Sequence, residues 1–253
     1  MKTYRRVSLV LLIVGILLCC VGIGMGGHQK LMSSASSLNR YLVFNFEKGE
    51  SFTKELELPS NSNLSIKVEG VNSNIEYYDG TTIKVETNNV SSEYDFSSAN
   101  NEINMEFEGC TNLSSRSKVV IYIPKDYMFN NVNITVEASD FKFDSLKCNQ
   151  FIYDSDAGNL KAEDLECTGK VSLEGDAASI DISLISCNGL DLDMNAGNIK
   201  TVLAGNRDDY CINKDADVST VTIENEHHGE NHGSKIVNVD CDAGNVEIKF
   251  KGE

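Results

Sequence analysis

This 253-residue sequence has no tryptophan and only two prolines, whereas it contains 19 glycines. Asparagine, serine, aspartate and β-branched residues are abundant, and this mixture favours short strands separated by tight turns. The composition therefore argues against a helical protein and predicts an all-β fold. With 41% hydrophobic and 24% charged residues, the chain is able to bury a real core.

Basic residues are scarce beyond the first six positions. Lys2, Arg5 and Arg6 precede an apolar segment, and all 38 acidic residues follow it. That leaves 19 basic against 38 acidic residues beyond residue 27, a net charge of −19. Such a surface repels phosphate backbones, which excludes nucleic acid as a partner and favours cations or basic partners.

The motifs of several enzyme classes are also missing. The sequence contains no G-x-S-x-G element, no metalloprotease H-E-x-x-H pair and no phosphate-binding P-loop. The outward strand positions described below are mainly Ser, Asn, Lys, Asp and Glu, without a cluster of His or Arg. We therefore predict a non-catalytic protein without a cofactor.

The N-terminal segment 7–27 is 21 residues long and uncharged, which is enough for a helix that spans a bilayer. The three cations before it predict a single-pass membrane protein with a cytoplasmic stub at 1–6 and an extracytoplasmic C-terminal domain. A cleaved signal peptide is the alternative, because small residues lie around Gly22 to Gly27. The polar segment 28–40 reads as a linker.

Two β regions follow, and only the second has a fixed period. Residues 41–125 show alternating apolar positions, which predict half-buried strands in hairpins or irregular coils. Residues 126–253 repeat at spacings of 19, 20, 19, 20 and 27 residues. The repeat origins, each followed at once by an alanine, are Glu137, Asp156, Asp176, Asn195, Asp215 and Asp242.

Each repeat places apolar pairs before and after its origin, so each contains a strand, a corner and a second strand. A coil of this size cannot bury its own inward side chains, and successive coils must therefore stack about 4.8 Å apart. The sequence predicts a single-stranded parallel β-solenoid with about 19–20 residues per coil. We expect the alanine methyl to fill the interior of each corner, and Asn159, Asn198 and Asn245 to stack as a ladder.

The 27-residue spacing requires a loop insertion, which the polar segment 226–234 supplies. Within it, His227, His228 and His232 lie close to Glu224, Glu226 and Glu230, the one cluster with metal-ligand chemistry. A solvated loop and a zinc or other transition-metal site are the two interpretations. The three histidines are the candidate metal ligands.

Cysteines and aspartates recur in the same register. Cys148, Cys167 and Cys187 lie eleven residues after the first three origins, which predicts a stack of inward thiols, with a disulfide between adjacent coils as the alternative. The acidic origins predict capped turns, and a calcium ion between coils is the less favoured interpretation, because one carboxylate per coil supplies few oxygens.

The strand Val120 to Lys125 with its Val-Ile-Tyr-Ile-Pro-Lys sequence, followed by repeated Ala-Gly-Asn corners, resembles the bacterial “putative adhesin” family of toastrack-like domains of unknown function. The resemblance covers roughly residues 60–250. It implies a right-handed solenoid displayed outside a bacterial membrane, acting in adhesion or in sensing envelope stress, with an envelope or surface protein or a glycan as partner. No catalytic residues are carried over, and the corners at Asp176 and Glu137 depart from the pattern because they lack the glycine.

Overall fold

The computed structural model describes residues 49–110, 116–225 and 233–252. Apart from a 3₁₀ turn at Arg207–Asp209, the regular structure in these residues is entirely β. The first seven strands are β1 (Thr53–Glu57), β2 (Asn63–Glu69), β3 (Asn72–Tyr78), β4 (Thr82–Asn88), β5 (Asp95–Ala99), β6 (Glu102–Glu108) and β7 (Lys118–Pro124). The others are β8 (Phe129–Cys167), β9 (Lys170–Ser186), β10 (Gly189–Ala204), β11 (Tyr210–Ala216), β12 (Thr220–Ile223) and β13 (Lys235–Lys251).

The long strands are continuous through the corners and stack in parallel, as the repeat predicts. Val171 of β9 pairs with Leu190 of β10, which pairs in turn with Val237 of β13. All three side chains are buried, as are Leu173, Leu192 and Val239 two positions further along the same strands. The inward residues form one continuous core, and this part of the protein is an all-β solenoid of parallel coils.

The corner alanines align between coils but do not face the interior. Ala157, Ala177, Ala196 and Ala243 pair in register, yet every one of them is exposed. Two successive outward residues make each corner, so the prediction of inward methyl groups is wrong. The side chain that points inward at a corner is instead that of the residue before the origin. At the origin Asn195, for example, this is Met194, and the small residue Gly197, two positions after the origin, is where the chain turns inward again.

The asparagine ladder predicted at the corners forms where two asparagines are adjacent. Asn245 Nδ2 donates to Asn198 Oδ1 at 2.9 Å. In the earlier coils, Asn159 Nδ2 donates to Asp140 Oδ1 at 2.6 Å. Side-chain hydrogen bonds between neighbouring coils therefore run along the outside of the corners.

The C-terminal coils do not stack in sequence order. β13 lies between β10 and β11, so the last strand of the chain separates two strands that precede it. Asp215 pairs with Asp240, whereas the repeat predicts alignment with Asp242. This shift of β11 and β12 by two residues leaves each side chain on its original face of the sheet. It pairs Val221 and Ile223 with Val246 and Ile248 of β13, where the repeat predicts Ser219 and Val221.

The N-terminal coils are interleaved in the same way. β2 pairs with β6 on one side and β8 on the other, and β3 pairs with β7 and β8. The coil β2–β3, which comes first in sequence, is therefore enclosed between the coil β6–β7 and β8. The antiparallel strands β1, β4 and β5 complete this end.

The structure corrects the predicted single-pass localisation. No helix in the described ranges 49–110, 116–225 and 233–252 is long and apolar enough to cross a membrane. The segment 7–27, to which the sequence assigns the span, lies outside the described residues, as do the stub 1–6 and the linker 28–40.

Candidate functional site

A column of five carboxylates crosses five adjacent strands on the outside of the solenoid. Glu174 pairs with Asp154 and Asp193, and Asp240 pairs with Asp193 and Asp215. Adjacent strands are separated by about 4.8 Å, so each carboxylate lies directly beside the next. We call this column, Asp154, Glu174, Asp193, Asp240 and Asp215, the acidic ladder.

The strand pattern explains why these carboxylates point outward. On β9, for example, Leu173 and Gly175 on either side of Glu174 are buried. On β10, Leu192 and Met194 are buried on either side of Asp193. Because side chains alternate across a strand, burying these neighbours requires the acidic residue between them to face solvent.

A second row of polar residues follows the first at the corners. Asp156, Asp176, Asn195 and Asp242 are all exposed there, two positions after the ladder residues of their strands. Asn195 Nδ2 donates a hydrogen bond to Asp176 Oδ1, so the amide offsets part of the charge in this row. The two rows together give the molecule a long, negatively charged flank.

Like charges raise pKa values along this flank. Partial burial raises the pKa of Asp154, and neighbouring carboxylates, including that of Asp156, raise it further. Loss of hydration also raises the pKa of Asp240, as do the four carboxylates around it, those of Asp193, Asp215, Asp242 and Asp217. The folded state therefore holds negative charge in these rows at a cost to its stability, which a bound cationic group would relieve.

Neutralising Asp240 should accordingly stabilise the protein at neutral pH. Since the folded-state pKa of Asp240 is raised, its ionised form destabilises the fold above that pKa, and the effect disappears as the pH falls through it. We expect Asp240→Asn to raise the thermal midpoint by about 1–3 °C at pH 7 and to leave it unchanged near pH 3. Circular dichroism melts would measure this, with Glu57→Gln, an exposed carboxylate on β1, as the control.

An acidic cleft of about 390 Å³ lies among strands of the N-terminal coils. Its lining includes Glu69, Glu93, Asp95, Glu106 and Glu108, together with Lys67 and Tyr94. Lys67 Nζ lies 3.3 Å from Glu106 Oε1 and 3.6 Å from Glu137 Oε1, and these contacts raise its pKa. Most of the cleft's charge is negative, as in the acidic ladder.

The predicted histidine cluster cannot be placed. His227, His228 and His232 lie outside the described residues, so the metal site remains a prediction. In the described part of the chain, no three His, Cys, Asp or Glu side chains converge as metal ligands. The acidic origins Asp156, Asp176 and Asp242 share the corner row, whereas Asp215 belongs to the acidic ladder.

The three cysteines predicted to stack face the interior. Cys148, Cys167 and Cys187 are all buried, and the structure places no disulfide bond between them. A hydrogen bond with Cys167 and burial both raise the pKa of Cys148, and burial raises the pKa of Cys187 to about 11. Cys148 and Cys187 are therefore packing elements and not reactive thiolates at neutral pH.

Sequence reasoning missed the acidic ladder itself. It identified the acidic origins, yet the ladder residues Asp154, Glu174, Asp193 and Asp240 stand two positions before four of the repeat origins. An acidic residue at the same position of four repeats could have predicted a column of carboxylates on the outside of the solenoid. Asp215 could not have been added, because its place in the ladder depends on the shifted register of β11.

These features define the protein as a parallel β-solenoid with a continuous core and an acidic flank. The chain belongs to the Toastrack DUF4097 family, whose sequence profile matches residues 47–205. The resemblance predicted from the sequence is thereby confirmed. No curated protein is similar enough in sequence to match.

Solved structures that resemble this chain come from several bacteria. A “putative cell adhesion protein” of Clostridium sporogenes is 15% identical, with a TM-score of 0.45, over 81% of this chain and 100% of its own. A “putative adhesin” of Bacteroides fragilis is 12% identical, with a TM-score of 0.41, over 80% of this chain and 97% of its own. A “putative lipid binding protein” of Parabacteroides distasonis is 13% identical, with a TM-score of 0.31, over 81% of this chain and 96% of its own.

Proposed function

We propose that this domain is a non-catalytic interaction module that binds an extended, positively charged segment of a partner protein along the acidic ladder. The observation that carries the proposal is the register of the five carboxylates across β8, β9, β10, β13 and β11. A stack of parallel strands holds them in a straight row. Such a row suits an extended chain with cationic side chains at regular intervals.

The electrostatics support binding more than catalysis. The raised pKa values of Asp154 and Asp240 arise from burial and from other carboxylates, without a neighbouring His, Lys or nucleophile among their causes. A row of like charges has no division into acid and base. It attracts cationic groups and increases the rate at which a basic partner associates.

Neutralising three ladder residues should weaken binding of a basic peptide about tenfold. The variant combines Asp154→Asn, Glu174→Gln and Asp193→Asn, and the probe is an oligolysine of about ten residues titrated into the full chain by calorimetry. Each exposed ion pair contributes about 0.2–1 kcal/mol, so three together give a change of this order. The affinity of the unaltered protein should also fall as salt is added.

The matched control removes three exposed carboxylates that lie off the acidic ladder, in the variant Glu57→Gln, Glu163→Gln and Asp208→Asn. Both triple variants change the net charge equally. If the control weakens oligolysine binding as much as the ladder variant does, the net charge and not the ladder attracts the peptide, and the proposal fails.

A further inference from the structure

A groove with cationic side chains lies apart from the acidic ladder, on strands of the N-terminal coils. It encloses about 380 Å³ and is formed by residues of β3, β4, β7 and β8, together with Arg116 before β7. Its cationic side chains are Arg116, Lys118 and Lys142, and its amides include Asn72, Asn74 and Asn88. This volume is within the range of ligand-binding pockets.

The sheet register places these side chains on one surface. Asn72 of β3 pairs with Lys118 of β7, and Asn74 of β3 pairs with Lys142 of β8. Asn88 of β4 pairs with Lys118 from the other side. The backbones of the two lysines are thus separated by two strand spacings and by two residues along the strand, about 12 Å in all, with an asparagine beside each.

The three cations lack carboxylate partners in the part of the chain that the structure describes. Neither Arg116, Lys118 nor Lys142 lies there within 4.0 Å of an Asp or Glu oxygen, whereas Lys67, Lys84, Lys147, Lys170 and Lys249 all do. The chain carries a formal net charge of −16, so carboxylates to pair with are abundant. Asp140, the acidic residue of the groove, already accepts a hydrogen bond from Asn159.

The amides of the groove are oriented to donate. The backbone N–H of Asp140 donates to Asn72 Oδ1 at 3.3 Å, so the oxygen of that amide faces the strand β8. Asn88 Oδ1 accepts from Ser51 Oγ at 3.1 Å. Asn72 and Asn88 keep their N–H donors beside Lys118, so the groove combines hydrogen-bond donors with positive charge, which suits acceptors that are negatively charged.

The spacing and the surroundings decide which anion fits. The two lysines start from backbone positions well separated on the sheet, so the groove offers two cationic points and suits a ligand with separated charges. Glu76 and Glu86 lie on the strands of the groove and oppose a chain charged at every unit, such as a nucleic acid. The residues lining the groove include no aromatic ring, which single-stranded nucleic acids use for stacking.

We propose that this groove binds an acidic polysaccharide in which carboxylate-bearing sugars are separated by neutral ones. Lys118 and Lys142 contact successive carboxylates, and Arg116 extends the cationic surface. Asn72 and Asn88 donate to the hydroxyl and carbonyl oxygens of the intervening sugar. The site is separate from the acidic ladder, and its occupation does not depend on a basic partner there.

The test titrates the full chain with hyaluronan oligosaccharides, which alternate an acidic and a neutral sugar. Lys118→Gln and Lys142→Gln should each weaken the affinity about twofold to fivefold. Lys200→Gln is the matched control, because Lys200 stands five residues after its repeat origin, as Lys142 does, but lies on β10, outside the groove. All three substituted side chains are exposed, so unchanged thermal midpoints would show that folding is intact.

Carboxyl-reduced hyaluronan of equal length should not bind, and the ladder variant with three neutralised carboxylates should bind hyaluronan at least as well as the unaltered protein. Absence of hyaluronan binding by the unaltered protein would overturn the proposal. So would equal binding of the carboxyl-reduced polymer, an equal loss in Lys200→Gln, or tighter binding of a single-stranded DNA of similar length. The oligolysine titration is independent of these outcomes, so either proposal can fail alone.

Discussion

Replacing Gly197 with alanine is expected to lower the free energy of unfolding by about 3 kcal/mol, although it adds a single methyl group. Gly197 has a φ of +143°, which side chains other than glycine rarely adopt. A Cβ built on its backbone would lie 2.0 Å from the carbonyl oxygen of Ala178 in the coil beneath. The neighbouring backbone belongs to a buried, paired strand and cannot move away without breaking its own hydrogen bonds.

Gly189, at the start of the same strand, provides the control. A Cβ added there would have the carbonyl oxygen of Ile236 as its nearest neighbour, at 3.5 Å, which is an ordinary contact. We expect Gly189→Ala to change the stability by less than about 1 kcal/mol, because alanine also restricts the unfolded chain. Urea unfolding of both variants would measure the difference, and similar midpoints would mean that the corner of β10 adapts to a side chain.

Much of the solenoid could be predicted because its inward apolar residues recur at the spacing of one coil. The pairs Val171/Leu173 and Leu190/Leu192 recur at the repeat spacing, and parallel stacking is the arrangement that buries all of them. The burial of Cys148, Cys167 and Cys187 followed from the same register. The repeat spacing can be counted from neighbouring segments of the sequence, so it predicts the coils without any knowledge of how the ends of the solenoid are arranged.

The corner alanines show where that reasoning failed. A strict recurrence at Ala157, Ala177, Ala196 and Ala243 indicates a common environment, but it does not distinguish the inner side of a turn from the outer side. The structure places two consecutive residues outside at each corner, which breaks the alternation of the strand. Only the backbone conformation at the corner decides which residue fills the interior.

The order of the coils at both ends was also beyond the sequence. β2–β3 lies between the coil β6–β7 and β8, and β13 lies between β10 and the coil β11–β12 that precedes it in the chain, yet the inward patterns of these strands are the same as those of any other coil. The cationic groove depends on this arrangement, since it brings Lys118 of β7 and Lys142 of β8 to either side of β3. Residues far apart in the chain become a site because another coil lies between them.

Ending the chain at residue 234, and so removing β13, is expected to lower the free energy of unfolding by about 5 kcal/mol. β13 buries Val237, Val239, Cys241, Val246 and Ile248. Without these five side chains, the inward residues of β10 that they cover become exposed to solvent, and this loss of core packing lowers the stability of the chain that remains. Chemical denaturation would measure the loss.

The larger consequence of this truncation is for residues that remain in the chain. β11 and β12 pair with β13, and the backbone N–H groups of Asp217 and Val218 donate to the carbonyls of Cys241 and Asp242. Without β13, amides in 210–223 should exchange with solvent at rates close to those of an unfolded chain. Hydrogen exchange followed by mass spectrometry would resolve this segment.

A second truncation after residue 204 distinguishes interleaved coils from coils stacked in sequence order. If β13 is the necessary partner of β11 and β12, residues 205–234 add nothing once it is gone, and the two truncated chains should be equally stable. If the segment 210–223 instead moved onto β10 in the register that its repeat predicts, with Ala216 over Ala196, the longer chain would be more stable and its amides would stay protected. Because that register places Ser219 and Val221 inward where the observed one places Val221 and Ile223, it covers less apolar surface, and we expect the first result.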